Sequence, residues 1–211
     1  MKKFNTTAVC IPSKHYMVDL SERVAEIKKM VDAGEYFTIN RARQYGKTTT
    51  LTALDLVLSS QYDVVYIDFQ DVTDANFVNE TEFTKGFSQI LCDTRDSMGI
   101  PVPDKYYEQF QKLAGRNEKV NLNDVFRIFD KWCKENEKRI VLIIDEVDTA
   151  TNNQVFLDFL GKLRSSYLKR ERNEKYKSFQ SVILAGVTDV KHLKSKIRSE
   201  DQHKVNSPWN I

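Results

Sequence analysis

The sequence predicts an α/β protein in which helices cover both faces of a mainly parallel sheet. Short β-rich runs alternate with amphipathic helical stretches along the chain, and strands separated by helices need crossover connections, which leave the strands parallel. Residues 140–144 form a continuous aliphatic run, which is typical of a strand buried on both faces.

The composition fits one folded domain, or one domain with an appendage. The chain has 211 residues, of which 41% are hydrophobic, and this is enough for a core and excludes wholesale disorder. Lysine and arginine number 32 against 30 aspartate and glutamate residues. The surface as a whole therefore lacks the large positive charge that would bind nucleic acid or anionic membrane non-specifically, although a local basic patch is still compatible with this composition.

The cysteines indicate a reducing compartment. Cys10, Cys92 and Cys133 lie far apart without metal-ligand spacing, which favours reduced thiols over a disulfide framework or a zinc site. No secretory signal and no membrane-spanning run is recognisable in the sequence. We expect a cytoplasmic protein without a membrane partner.

The first half of the chain is expected to hold two helices and two strands. Asp19 and Glu22 form a D-x-x-E pattern that predicts a capping box for the first helix, and Gly34 is expected to stop it. The predicted elements are a helix over 21–33, a strand over 36–39, a helix after Gly46 with Leu51, Leu54, Val57 and Leu58 on its apolar side, and a strand over 64–67.

In the second half, helices again alternate with strands. Asn123 or Asp124 is expected to cap the helix that carries the apolar stripe from Val125 to Trp132, and Pro101–Pro103 marks a surface turn. The predicted elements are a helix over about 80–97, this capped helix, a strand over 140–144, a helix over about 154–169 and a strand over 182–185.

The segment 41–48, Arg-Ala-Arg-Gln-Tyr-Gly-Lys-Thr, lies between the first predicted strand and a helix. It fits a phosphate-binding loop ending in Gly-Lys-[Ser/Thr], with Arg41 where the usual first glycine stands. A bare Gly-Lys-[Ser/Thr] occurs by chance in about one chain in ten of this length, so the position between strand and helix carries the prediction. Loop amides and the helix N-terminus would bind phosphate oxygens, and Gly46 would let the backbone approach them.

Lys47 is expected to reach the β- and γ-phosphates of a nucleotide, and the Thr48 hydroxyl to ligate Mg²⁺. The predicted nucleotide-binding residues are Arg43, Gln44, Tyr45, Gly46, Lys47, Thr48 and Thr49.

Two carboxylates follow the aliphatic run. Asp145 at the strand tip suits Mg²⁺, and Glu146 suits the orientation or activation of an attacking water. A buried strand that ends in a polar turn would show the same pattern. The two carboxylates follow the Lys47 loop in the order expected of a nucleotide-binding site, however, and this favours a functional role for them. For Asp148, an exposed carboxylate at a helix entry is favoured over a third participant.

A third element follows the last predicted strand. The Thr188 hydroxyl, just past that strand, is expected to bind the γ-phosphate or the attacking water, whereas Ser181 and Asp189 are less well placed. This assignment depends on the Lys47 loop and on the two carboxylates Asp145 and Glu146, because a lone threonine in a loop is more often a helix cap.

Three segments of the chain resemble a known family of ATPases. Residues 34–48 resemble the entry to the AAA-like domains of bacterial P-loop ATPases, which often carry an R-Q-x-G-K-[ST] loop. Residues 143–148 are similar to their second motif, and residues 207–211, Ser-Pro-Trp-Asn-Ile, resemble the segment after their fourth strand. The likeness spans nearly the whole chain.

The resemblance implies a P-loop NTPase of the ASCE class, related to AAA and STAND signalling ATPases, with a three-layer α/β/α sandwich and strand order 5-1-4-3-2. The fifth strand would lie within 205–211, or these residues would form the turn leading out of it. Nothing in the sequence resembles the C-terminal helical lid of AAA modules. We therefore expect an N-terminal arm and helix over 1–34 packing on a core over 35–211, truncated before a lid or effector domain.

The sequence thus predicts Mg²⁺-dependent ATP binding and hydrolysis, with Lys47, Glu146 and Thr188 as catalytic residues and Thr48 and Asp145 as metal ligands. A nucleotide-gated signalling or interaction module without significant hydrolysis stays open, as does the ATPase core of a DNA-acting mobile-element or defence protein. A small GTPase and an ABC transporter ATPase are disfavoured, because the sequence has no N-K-x-D motif after the acidic strand and no L-S-G-G-Q segment.

The expected partners are ATP or ADP and a neighbouring copy in a homo-oligomer, whose Arg198 or Arg164 would act as an arginine finger in trans. Residues 169–177 mix basic and acidic side chains, which favours a solvated helix end over a nucleic-acid site. Whether nucleic acid is a partner stays open from the sequence. For His15 and Tyr16, adenine stacking and a structural role are equally favoured.

Overall fold

The computed structural model of the chain describes residues 18–41, 45–70, 72–150 and 153–187, apart from the side chain of Thr149. Its strands are β1 (Tyr36–Asn40), β2 (Asp63–Asp68), β3 (Ile140–Asp145) and β4 (Ser181–Gly186). Its helices are α1 (Ser21–Asp32), α2 (Lys47–Leu58), α3 (Glu80–Met98), α4 (Asp104–Ala114), α5 (Leu122–Glu135) and α6 (Gln154–Arg172). Short 3₁₀ helices cover Asp74–Phe77 and Val147–Thr149.

The described strands form one parallel sheet in the order β1-β4-β3-β2. This confirms the predicted parallel α/β fold, and these four strands follow the expected relative order. The expected fifth strand lies outside the described residues. Ile39 pairs with Ala185, and Asp68 pairs with Asp145, so the residues that follow these strands meet at one edge of the sheet.

Helices cover both faces of the sheet. Helices α1 and α2 pack on one face, against Phe37, Val141 and Ile183, while α3 to α6 pack on the other. The β1–β2 connection runs across the sheet through α2, and the two later connections return in the opposite direction on the other face. One handedness of crossover therefore satisfies all three connections. Over the described ranges, no helix combines the length and the apolar character needed to cross a bilayer.

The start of α1 differs from the prediction. Gly34 ends the helix as expected, with φ +78°, but Leu20 occupies the N-cap position and no side chain caps it. The capping box of Asp19 and Glu22 is wrong, because Asp19 lies one residue too early and its carboxylate accepts a hydrogen bond from the Ser21 amide instead, at 2.9 Å. On α2, Val57 is 42% exposed, so the apolar side consists of Leu51, Leu54 and Leu58.

The helix α5 begins earlier than predicted. Its cap is Asn121, whose side chain accepts from the Asn123 amide, while Asp124 accepts from the Asn121 amide at 2.9 Å. The predicted caps Asn123 and Asp124 therefore lie inside the first turn. The physical reason is Leu122, which is 1% exposed and contributes to the core as the first helical residue.

Helix α4 has no counterpart among the predicted elements. Tyr106, Phe110 and Leu113 are its buried residues, and they recur at helical spacing. The helix starts after Pro103, which has no side-chain acceptor for a cap. The polar N-cap residue that usually marks a helix start is thus missing from the sequence, although Asp104 stands in the first turn.

The end of α6 is anchored rather than fully solvated. The guanidinium of Arg170 donates to the carbonyl oxygens of Gly34, Phe179 and Gln180, at 2.5, 2.5 and 2.9 Å. It also lies 5.4 Å from the ring centre of Tyr36 and 5.1 Å from that of Tyr167. Arg170 therefore fixes α6 to the segments that lead into β1 and β4, whereas its neighbours Lys169 and Arg172 are exposed.

Candidate functional site

The carboxyl edge of the sheet brings together the ends of β1, β3 and β4 and the start of α2. The Arg41 amide donates to the Gly186 carbonyl at 3.0 Å, so pairing between β1 and β4 continues to the last described residue before the loop. The chain is described again from Tyr45, and α2 starts at Lys47.

The N-terminus of α2 offers main-chain donors. Gly46 has φ +72°, in the left-handed region where a side chain adds strain. A Cβ there would meet no atom of the described residues within 4 Å, so the backbone conformation is what favours glycine among the contacts that the structure describes. Among the described residues, no side chain caps α2, and its first turn contains no carboxylate. The first-turn amides and the positive end of the helix dipole therefore favour an anion here.

Lys47 is buried between two carboxylates. Its ammonium lies 2.5 Å from Oδ1 of Asp145 and 2.8 Å from Oε1 of Glu146, and its side chain is 8% exposed. Burial alone would lower the pKa of Lys47, but the hydrogen bonds to these carboxylates outweigh it and raise the pKa. The ammonium therefore keeps its charge at neutral pH.

Asp145, the last residue of β3, is held by three donors. Its Oδ1 accepts from Lys47 and from the Glu146 amide at 2.8 Å, and its Oδ2 accepts from the Tyr66 hydroxyl at 2.9 Å. Burial first, and then the nearby Asp145 charge, raise the pKa of Tyr66 far above its usual value, so this hydroxyl stays protonated. Since each carboxylate oxygen has two acceptor positions, Oδ2 keeps one for a further donor.

Glu146 reaches Lys47 because the backbone turns sharply after β3. In a continuing strand, neighbours such as residues 145 and 146 would point to opposite faces. Glu146 instead has φ +53° and ψ +39°, a left-handed conformation that is uncommon for residues other than glycine. This strained turn, of a kind that clusters at functional sites, brings both carboxylates to one ammonium.

A further carboxylate lies on the neighbouring strand. Asp68 pairs in register with Asp145, and its Oδ1 accepts from the Gln70 amide at 2.8 Å. Burial raises the pKa of Asp68, and the charges of Asp145 and Glu146 add to this. The site thus has an excess of negative charge that favours a cation beside Lys47.

Asp148 connects the turn after β3 to the end of β4. Its Oδ2 accepts from the Val187 amide at 2.6 Å, and the residue is half-buried. The expectation of an exposed carboxylate is therefore wrong. A Cβ on Gly186 would lie 2.9 Å from that same Oδ2, so this contact needs glycine at 186.

The structure brings some of the predicted site residues together. Lys47, Asp145 and Glu146 are in direct contact. Thr48 and Thr49 are half-buried in the first turn of α2, and Tyr45 is 70% exposed. Arg164 is half-buried on α6, and no hydrogen bond to its buried Nε is found in the described part of the chain. The predictions for Arg43, Gln44, Thr188, Arg198, His15 and Tyr16 lie outside the described residues.

Sequence reasoning missed Tyr66 and Asp68. A signal for both was present in the sequence. Residues 64, 66 and 68 of a strand share one face, and this face carries a tyrosine and an aspartate, whereas residues 65 and 67 on the other face are aliphatic. Only the pairing of β2 with β3 shows that these side chains lie beside Asp145.

Comparisons with solved structures show the fold. The chain is similar to the Walker-type ATPase paby2304 of Pyrococcus abyssi, with TM-score 0.52 and 14% identity, covering 87% of this chain and 48% of that one. It is also similar to Cdc6p from Pyrobaculum aerophilum, with TM-score 0.46 and 15% identity, covering 84% of this chain and 43% of that one. For the ORC2 protein of Aeropyrum pernix, the TM-score is 0.47 and the identity 15%, covering 86% of this chain and 43% of that one.

The chain therefore spans less than half the length of each of these structures. No curated protein matches the chain. The model of the AAA-like domain family matches residues 4–200, which include the four described strands, the predicted phosphate-binding loop and both carboxylates after β3. The chain belongs to the AAA-like domain family.

Proposed function

We propose that this chain binds ATP together with Mg²⁺ and hydrolyses it. The observation that carries the proposal is the convergence of Lys47 with Asp145 and Glu146 at the N-terminus of α2. One cation, two carboxylates and a helix N-terminus at the carboxyl edge of a parallel sheet are the groups that phosphoryl transfer to water requires.

The triphosphate would bind at the N-terminus of α2. The first-turn amides donate to phosphate oxygens, and Lys47 exchanges its carboxylate contacts for the β- and γ-phosphates. Arg43, Gln44, Tyr45, Gly46 and Thr49 are proposed to complete this binding site.

The oxygen donors near α2 fit Mg²⁺, which prefers hard oxygen ligands and keeps several waters when bound to a nucleotide. Thr48 would ligate it, and Asp145 would hold one of its waters through the acceptor position left on Oδ2. Mg²⁺, when bound, would neutralise charge on the β- and γ-phosphates. Asp145 is oriented for this role by its three donors.

Glu146 is proposed to orient the attacking water. Its side chain is 32% exposed, so water can reach the carboxylate, and release of Lys47 to the phosphates removes one ion pair that competes with this water. Thr188, which directly follows the Val187 amide held by Asp148, is proposed to bind the γ-phosphate.

Two measurements test the proposal. The first titrates ATP and GTP, with and without Mg²⁺, against the wild type and Lys47→Ala. We expect Mg²⁺-dependent binding that favours ATP, and at least tenfold weaker binding by the variant, about 1.4 kcal/mol. Equal affinity of the two proteins would contradict the proposed phosphate site.

The second compares γ-phosphate release by the wild type and Glu146→Gln. Removal of a water-orienting group is expected to lower the rate about 10²-fold or more, with ATP binding intact. Equal release at intact binding would contradict the role of Glu146. If the wild type binds ATP but releases no phosphate, the chain is a nucleotide-gated interaction module instead.

Turnover by a single copy is expected to be slow. An arginine supplied by a neighbour adds about 10³–10⁵ in rate in other phosphoryl-transfer proteins, and Arg198 or Arg164 is proposed for this role in a homo-oligomer. Specific activity should then rise with protein concentration.

A further inference from the structure

A basic surface lies on the helical face opposite α2. Two neighbouring cavities open there, one between α5 and α6 and one between α4 and α5, and Arg127 of α5 lines both. The basic side chains that line them are Lys112, Arg116, Arg127, Lys131, Lys162 and Lys169. We call this the three-helix basic face.

Two carboxylates on this face are bonded within the protein, and one of them, Asp124, also pairs with Arg127 of the face. Asp124 and Asp130 are the two acidic residues that line the cavities. Asp124 accepts from the Asn121 amide as part of the α5 capping box, and Asp130 accepts from the Tyr176 hydroxyl at 2.7 Å. Six cations against two internally bonded carboxylates leave a strong local excess of positive charge, although the whole chain is close to neutral.

The cations are available to a ligand. All except the half-buried Lys162 belong to exposed residues. Arg127 pairs with Asp124 at 3.0 Å but keeps a side chain that is 73% exposed, and an exposed pair of this kind contributes little free energy. Binding of an anion therefore has no strong internal competitor.

The shape of the surface favours a polymer over a small molecule. The cavities measure about 200 and 220 Å³, below the roughly 300–1,000 Å³ of small-molecule sites. At the spacing of about 8–10 Å that is usual for packed helices, a face made by three helices would be about 20 Å wide. A surface of that width can contact several phosphates of one nucleic acid duplex, which carries about one charge per 1.7 Å of its axis.

The side chains also discriminate between classes of polyanion. A protein partner would need an apolar centre to its interface, and the apolar lining residues Phe126, Leu113 and Ile128 are at most 8% exposed. Single strands bind by stacking on aromatic rings, and Phe126 is the one aromatic residue among the cavity-lining residues. Hydroxyl and amide groups of Asn123, Ser165, Ser166 and Gln109 complete the lining, and such groups suit phosphate oxygens.

We propose that the three-helix basic face binds the phosphate backbone of a nucleic acid duplex, without reading its sequence. This inference does not depend on ATP hydrolysis, because none of the residues involved belongs to the nucleotide site. Binding through the backbone alone predicts weak affinity at physiological salt, with a Kd of about 10⁻⁴–10⁻⁶ M, that tightens as salt is lowered.

The test uses the full chain and a fluorescently labelled duplex DNA of about 20 base pairs, with anisotropy recorded from 50 to 200 mM salt. We expect Arg127→Ala/Lys131→Ala to bind at least tenfold more weakly at 50 mM salt. The slope of log K against log salt should fall by about 0.9 for each phosphate that the variant no longer neutralises. The matched control is Arg23→Ala/Lys29→Ala on α1, which removes the same charge from the other side of the sheet and should bind like the wild type.

Circular dichroism and ATP titration establish that both double variants are folded. No salt-dependent binding by the wild type at 50 mM salt would overturn the proposal. It would also be overturned by equal affinities of wild type and Arg127→Ala/Lys131→Ala, or by an equal weakening in the α1 control. Tighter binding of single-stranded DNA, or displacement of the duplex by polyglutamate at equal charge concentration, would reassign the face to a different partner.

Discussion

The ammonium nitrogen of Lys47 lies 2.5 Å from Oδ1 of Asp145, although the two residues are 98 positions apart in the chain. Their side chains are 8% and 1% exposed. Breaking one side of a buried ion pair is costly, because the remaining charge loses its partner in a poorly solvated place. The proposed phosphate-binding lysine therefore also contributes to the stability of the sheet edge.

Lys47→Met is expected to lower the free energy of unfolding by about 2–4 kcal/mol, measured by urea denaturation at pH 7. Lys47→Met/Asp145→Asn should lose less, because the neutral amide removes the more deeply buried of the two carboxylate charges that lose Lys47. Since the folded pKa of Lys47 is raised above 10.5, its stabilising contribution is complete below that pH and is lost as pH rises through the folded value. A Lys47→Met variant as stable as the wild type would contradict the contribution of the pair.

Tyr66→Phe tests whether the Tyr66 hydroxyl positions Asp145 for Mg²⁺. Without this donor the Asp145 carboxylate can rotate, so we expect the Mg²⁺ concentration for half-maximal ATP binding to rise about 3–10-fold. The affinity for ATP in the absence of Mg²⁺ should be unchanged. Removal of the hydrogen bond should also cost about 1 kcal/mol of stability. Tyr62→Phe is the matched control, because the Tyr62 hydroxyl donates to Asp32 at 2.8 Å. An equal shift in the control would show a general structural effect instead.

Asp68→Asn is expected to stabilise the protein at neutral pH. The raised pKa of Asp68 means that its ionised form is disfavoured in the folded state. Ionisation therefore lowers the free energy of unfolding at pH values above the ordinary pKa of 3.8, and this loss disappears below it. Neighbouring atoms crowd the Asp68 carboxyl enough to raise its pKa, but the residue as a whole is exposed. Solvent therefore screens the effect, and the gain should be only about a few tenths of a kcal/mol. Thermal denaturation from pH 8 to pH 4 should show the gain shrinking with falling pH, and a growing gain would contradict this account.

The sequence predicted the sheet and singled out Lys47, Asp145 and Glu146, which the structure brings into contact, because their signals are local. A buried parallel strand is aliphatic throughout, as in Ile140–Asp145, and the Gly-Lys-Thr loop is one short segment. Helix α4 was missed although Tyr106 and Phe110 lie at helical spacing, since neither a polar cap nor a long stripe marks it.

Contacts between distant segments could not be predicted. Tyr66 lies beside Asp145 only because β2 pairs with β3 in one register, and a shift by one residue would point Tyr66 to the other face. The three-helix basic face likewise has no counterpart in the sequence as a run of charge. Its cations come from three helices and from Arg116 just after α4, and they lie four residues apart on α5 and seven apart on α6.

Gly186→Ala should disturb the end of β4. The new Cβ would lie 2.9 Å from Oδ2 of Asp148 and 3.1 Å from Cγ2 of Val147, which is closer than ordinary contact, and this should cost about 1–3 kcal/mol. Displacement of Asp148 would also release the Val187 amide, so we expect slower hydrolysis. Gly161→Ala is the control, because a Cβ there meets nothing within 4 Å and should add up to about 1 kcal/mol of stability inside a helix. Comparable stability of the two variants would contradict the close packing at Gly186.

Arg170→Lys should destabilise the protein although the charge is kept. The planar guanidinium donates to three carbonyl oxygens at once, and an ammonium at the end of a flexible chain cannot reproduce that fork. Since the Arg170 side chain is 13% exposed, the carbonyls that lose a donor are poorly hydrated, and a loss of about 2 kcal/mol is expected. Arg172→Lys, two residues on and exposed, should change stability by less than about 0.5 kcal/mol. Urea denaturation measures both, and ATP affinity should be unchanged in each folded variant because Arg170 lies at the opposite edge of the sheet from Lys47. If Arg170→Lys matches Arg172→Lys in stability, the charge alone is sufficient and the three-carbonyl contact contributes nothing.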